Sequence, residues 1–242
     1  MLTISNFLLC IMMAPISGFV VHQPLSTTSR TNTKQVRAVP QNIEKSGLFA
    51  SEGWGPIKKE LNVLPVFACA NEKGNPLQYN LKGQLVAFFF CDIEAAKVEL
   101  SKASAETKIV GLDLVPFPLG DVYEMAAQGK AVMIPSQAAI NAAGAPPGTN
   151  PIGLTIPLFA CMDIMREREN GQAVLPLFMV LEEAQAAVKM ALDIDGGDPA
   201  DFEVVGLSLN RAVELLATDP ESLSYQFIPP ASSVEYIRAY LE

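Results

Sequence analysis

After His22 the 242-residue chain contains no histidine. The commonest general base, the commonest metal ligand and the usual partner of a Ser or Cys nucleophile are therefore missing from everything downstream. Cysteine is scarce as well. Cys10 precedes His22, and Cys69, Cys91 and Cys161 follow without a CxxC pair. That spacing gives neither a disulfide framework nor a zinc site, and it reads as small apolar residues buried on strands. A redox pair between Cys69 and Cys161 is the alternative. No GxGxxG, P-loop or GxSxG pattern occurs. Asp193-Ile194-Asp195-Gly196-Gly197-Asp198 has a calcium-loop composition, but its twelfth position is Val204, where an EF-hand needs Glu. It reads as a solvated turn. The expectation is no catalytic residue, no metal and no cofactor.

Acidic residues are missing from one end. None precedes Glu44, whereas Arg30, Lys34 and Arg37 do. Residues 44–242 hold all 26 acids and 14 of the 17 bases, a net charge of -12 (14 - 26). Such a body repels phosphates, which argues against nucleic acid and against docking by charge on an anionic lipid surface.

Residues 1–43 read as a targeting leader. The apolar run Phe7 to Ile16 is shorter than the ~20 residues of a membrane span. It ends at Ser17-Gly18, small residues suited to signal cleavage, and Phe19 follows. The cleavage is placed between Gly18 and Phe19. From 19 to 43 the chain is polar, basic and acid-free, like a plastid transit peptide. The pair resembles the bipartite leaders of algae with secondary plastids. The other reading is an ordinary secreted protein with an N-terminal tail. The expected organisation is a signal peptide 1–18, a transit-peptide-like segment 19–43 and a single domain 44–242.

That domain is written twice. Leu64-Pro65-Val66-Phe67-Ala68-Cys69 returns as Ile156-Pro157-Leu158-Phe159-Ala160-Cys161, offset by 92. Ile109-Val110-Gly111-Leu112 returns as Val204-Val205-Gly206-Leu207, and Met133-Ile134-Pro135 as Phe227-Ile228-Pro229. Two copies fit, about 60–144 and 154–242, joined by a Pro/Gly-rich linker at 145–153. Each reads as β-β-α-β-α-β-α. Strands are expected at 64–69, 85–90, 109–114 and 132–134 and at their counterparts, with Asp92 capping a helix. The fold class is mixed α/β: two tandem repeats fused about a pseudo-twofold axis, strands central and helices outside. Val115-Pro116-Phe117-Pro118-Leu119 reads as an insertion in copy one, and the loop 195–198 as one in copy two.

Twelve Phe and nine Met exceed what a core of this size demands, so some of them suit a promiscuous apolar surface. The Leu-Pro-Val-Phe opening of each half, the Phe-rich strand before an Ala-rich helix and the Val-Gly-Leu strand together resemble the Tic twenty-two family. This is the small intermembrane-space component of the plastid inner-envelope translocon. The resemblance covers about residues 60–242. It implies a pseudo-twofold body with apolar grooves on both sides, no cofactor and no enzymatic activity. It also implies a chaperone-like role for precursor proteins or transit peptides between envelope membranes, beside translocon components and without an integral membrane segment. Phe67, Met133, Phe159 and Phe227 are the groove candidates. The compartment implied is a complex plastid reached through the secretory pathway. The alternative is a non-enzymatic binder of a small apolar ligand such as lipid or pigment; open grooves favour the first reading, a closed cavity the second.

Overall fold

The first strand of the domain alternates between two cores. In Pro65–Ala70 every residue is buried. Val66 and Ala68 point into one apolar cluster, Phe67 and Cys69 into another. A strand covered on both faces needs an unbroken apolar run, and the sequence supplies one. Leu158 and Ala160 enter the first cluster in the same way from Pro157–Cys161, while Phe159 and Cys161 face outward into two further clusters.

The computed structural model describes residues 19–21, 47–107, 109–168, 171–196, 198–218 and 225–241. The signal segment 1–18 with Gly18, and residues 22–43 with His22, lie outside them, as does Gly197 of the acidic loop. In chain order the strands are β1 (Phe19–Val21), β2 (Pro65–Ala70), β3 (Gln78–Leu81), β4 (Gln84–Phe90), β5 (Asp113–Pro118) and β6 (Ala131–Ile134), then β7 (Pro157–Cys161), β8 (Ile164–Glu167), β9 (Ala173–Phe178), β10 (Val204–Ser208) and β11 (Tyr225–Ile228). The helices are α1 (Trp54–Leu61), α2 (Ile93–Glu106), α3 (Leu119–Ala127), α4 (Gln137–Ala142), α5 (Leu181–Asp195), α6 (Leu209–Thr218) and α7 (Ala231–Leu241). Asp92 caps α2, its carboxylate accepting the Ala95 N–H at 2.7 Å.

Two sheets with one topology result. In sheet one β4 pairs with β3 and β2, β2 with β5, and β6 runs parallel to β4. In sheet two β9 pairs with β8 and β7, β7 with β10, and β11 runs parallel to β9. Phe67 stands opposite Phe90 as Phe159 stands opposite Phe178. The Leu119 N–H donates to the Leu64 carbonyl at 3.0 Å, and Leu209 to Ile156 at 2.8 Å. The inner faces of both sheets share the largest apolar cluster with α1, α3 and α6.

Two sequence expectations need correction. Each half has one strand more, β3 and β8, giving β-β-β-α-β-α-β-α. Both are four-residue, half-exposed hairpin partners without an apolar run, so periodicity could not show them. Second, the strand placed at 109–114 is β5, at Asp113–Pro118. Ile109 and Val110 are exposed, Val110 at 84%, and Gly111 turns at φ 72°. Leu114 faces Cys69 as Val204 faces Cys161, so the offset here is 90, and the Val-Gly-Leu match is not a structural equivalence. The apparent insertion Val115–Leu119 is the strand and the start of α3. Pro116 and Pro118 are tolerated because β5 is an edge strand, where a missing N–H can face away from the ladder. Phe19–Val21, within the segment read as transit-peptide-like, forms β1 on β8.

Each half gives its last helix to the other. Tyr236 and Ile237 of α7 cover the outer face of sheet one, where the Tyr236 ring meets Phe67 edge-on at 5.5 Å. Ala139 of α4 packs on the outer face of sheet two with Phe159 and Phe178. The halves therefore cannot bury their outer faces separately.

Candidate functional site

Phe67, Met133, Phe159 and Phe227 are exposed at 0%, 1%, 3% and 1%. Met133 and Phe227 sit between the sheets, Phe67 lies under α7, and Phe159 lies beneath α4 and α5. They hold the fold together and offer no open surface, so an apolar groove must be made by other side chains. Period-2 alternation explains this: in strands covered on both faces, every position is interior.

An accessible aromatic surface exists one residue away from the buried positions, on the outer face of sheet one. The β3–β4 hairpin sets Tyr79 opposite Val86. Its ring stacks on Phe88 with centroids 4.2 Å apart and planes 4° apart. Both rings are half-buried. Leu77, Leu100, Val132 and Val234 are partly buried around them, between α2 and α7. Tyr236, packed against the same cluster, lies 6.1 Å from Tyr240, and its hydroxyl donates to the Leu114 carbonyl at 3.4 Å.

This surface is neutral at its centre and bordered by carboxylates. Burial pushes the Tyr79 phenol up, and Cys69 and Glu99 nearby add to it. Burial likewise lifts the Cys69 thiol to about 11, with Glu99 contributing. Tyr236 is raised by burial and by Asp113. Lys97 sits 5.8 Å from the Tyr236 ring centroid but is tied to Glu94 at 2.7 Å.

The other face is not a copy. Tyr79 pairs with Val86 where Arg166 pairs with Val174, and Phe88 stands opposite Val132 where Pro176 stands opposite Gln226. The aromatic stack of sheet one is thus replaced by Arg166 and Pro176 on sheet two. The five tyrosines form no motif in sequence; only the β3–β4 register and the exchanged α7 bring three of them to one face.

Two hollows bear on the small-ligand alternative. One lies where the strands hand over to α2, α4, α5 and α7. Its lining includes Cys91, Pro135, Met179 and Pro230, and its volume of about 30 Å³ holds roughly one water. The other is an open cleft of about 550 Å³ between α1 and the second half. There Arg168 bridges the halves, donating to Glu60 at 3.0 Å and to the Tyr225 carbonyl at 3.0 Å. Neither is a closed apolar cavity. Cys69, Cys91 and Cys161 are free and buried, with Cys69 and Cys161 in separate clusters outside opposite sheets, so they do not form a redox pair. Among the described residues no group of three or more His, Cys, Asp or Glu could hold a metal, and no helix is long and apolar enough to cross a membrane.

No family model matches the sequence, and no curated protein matches it significantly. The solved structures do. Tic22 from Plasmodium falciparum superposes with a TM-score of 0.64 at 19% identity, covering 76% of this chain and 97% of that one. The chain has the Tic22 fold. Tic22 from Anabaena, described as a protein-transport structure, gives a TM-score of 0.60 at 20% identity over 77% of this chain and 96% of its own. The fold agrees with the resemblance in sequence.

Proposed function

We propose that the chain is a non-enzymatic protein-import factor of a plastid that binds precursor segments or transit peptides between envelope membranes. The carrying observation is the Tic22 fold across about three quarters of the chain, since one of the two solved relatives is described by protein transport. The acid-free, basic leader supports a complex plastid reached through the secretory pathway. Binding is chaperone-like, without nucleotide, and beside translocon components at the membrane surface.

The binding surface is the aromatic row Tyr79–Phe88 with Tyr236, on the outer face of sheet one. Flat, half-buried rings accept varied apolar side chains without demanding one sequence. The carboxylates of Glu99 and Asp113 border the row and attract basic segments. The test is aggregation of an unrelated unfolding protein. Suppression at near-stoichiometric amounts, lost in Phe88→Ala with the fold intact, supports the reading. No suppression and no transit-peptide binding refutes it.

A further inference from the structure

The outer edge of β8 already carries an extended strand from a segment that the sequence assigns to the leader. β1 pairs antiparallel with it, Phe19 opposite Arg166, Val20 opposite Met165 and Val21 opposite Ile164. α5 packs beside β1. The equivalent edge in the first half, that of β3, has no partner among the described residues. We propose that the β8 edge is a strand-addition site for an extended, acid-free segment of a precursor, and that residues 19–21 fill it in cis. This rests on the import reading above and names how part of a client is held.

The chemistry fits that occupant. An edge strand presents a row of N–H and C=O groups that any extended chain can satisfy, whatever its side chains, so diverse clients are accepted. Side-chain contacts add selection by charge. Asp163 and Glu167 lie at the two ends of β8, with Arg166 between them opposite Phe19. The first 43 residues of this chain contain no acid, and the body they meet is strongly acidic. Met162, exposed at 57%, stands beside Asp163 where the added strand leaves the sheet. Cleavage near residue 43 converts the cis strand into a separate peptide and opens the edge to clients, because a tethered segment competes at high effective concentration and a free one does not.

The test is backbone amide exchange in the full chain. In the double variant Val20→Pro/Val21→Pro one removed N–H must face β8, because neighbouring N–H groups of a strand alternate in direction. Exchange of Ile164–Glu167 should then rise about tenfold or more, while amides of β7 and β9 stay protected, showing that the fold holds. A synthetic peptide with the sequence of residues 17–24 should restore protection of β8 in that variant, and its doubly proline-substituted form should not. Equal β8 exchange in wild type and variant overturns the proposal. A peptide that protects the face of sheet one but leaves β8 unprotected also overturns it, while the import reading stands. A peptide that protects neither surface sinks both.

Discussion

Phe227→Ala and Phe88→Ala should behave oppositely, and the contrast separates the core from the proposed binding surface. Phe227 is 1% exposed and stands opposite Leu177 between the two sheets. Removing a fully buried ring costs about 3–5 kcal/mol, because the transfer energy is lost and the cavity collapses only partly. With a urea dependence of about 2 kcal/mol per molar, the unfolding midpoint should fall by roughly 2 M. That is a large share of the roughly 5–15 kcal/mol of a typical domain. Phe88 is half-buried and stacked on Tyr79. Its loss should cost less than half the buried-ring value, about 1–2 kcal/mol, the stacking included. The midpoint then drops by under about 1 M with an unchanged slope. Client binding reverses the order: under conditions where both variants are folded, Phe88→Ala should bind weakly and Phe227→Ala almost normally. Equal destabilisation, or a Phe227→Ala protein that is stable but does not bind, would refute the division into core and surface.

The remaining predictions concern single groups. The Glu183 carboxyl is pushed up by burial and by Glu182, against the Ala231 N–H that donates to it at 2.9 Å. A raised folded value means stability is greatest below the unfolded value and is lost as pH rises through the folded one. Glu183→Gln should therefore raise Tm at pH 7, with the gain vanishing in calorimetry below the unfolded carboxylate range; a gain that persists in acid would be wrong for this cause. A Cβ on Gly120 would lie 2.5 Å from Asn62 Oδ1 and 2.7 Å from the Lys58 carbonyl. Gly120→Ala should destabilise by about 1–3 kcal/mol through overpacking of α3 on α1. Gly55→Ala, with nothing within 4 Å, should gain up to about 1 kcal/mol from helix propensity; urea melts decide both. With Cys10→Ser in place, the three remaining buried thiols should resist a thiol reagent at pH 8 until the protein unfolds. One that reacts within seconds would contradict their burial.

Much of this architecture was legible because it is written in apolar runs. The runs Leu64–Cys69 and Ile156–Cys161 hold the strands Pro65–Ala70 and Pro157–Cys161 almost entirely, and Phe159 occupies the place of Phe67. Tyr225–Ile228 is a strand at the expected bounds, and Asp92 caps its helix. What failed has local causes. Gln78–Leu81 and Ile164–Glu167 are short hairpin partners with polar positions and no apolar run, so neither was expected as a strand. Pro116 and Pro118 hid β5 because a proline is informative only once its place at a sheet edge is known. Matching Val-Gly-Leu between copies paired an exposed turn with a strand. The groove candidates were drawn from the largest repeat-matched side chains, and such residues are matched because they pack. The surface residues Tyr79 and Phe88 have no aromatic counterpart in the second half, so a search for repetition passes over them. Nothing in the sequence of α7 says that it covers the other half; that depends on Tyr236 reaching Phe67.

The most direct test of the central claim is the affinity of the purified protein for an acid-free transit peptide, measured with and without Phe88→Ala and at low and high salt. The account predicts binding that weakens about tenfold or more in the variant and falls steeply with salt, as bordering carboxylates are screened. Absence of binding, or binding that ignores Phe88, would contradict a precursor-binding face on sheet one. Binding that ignores salt would remove the acidic border from the account.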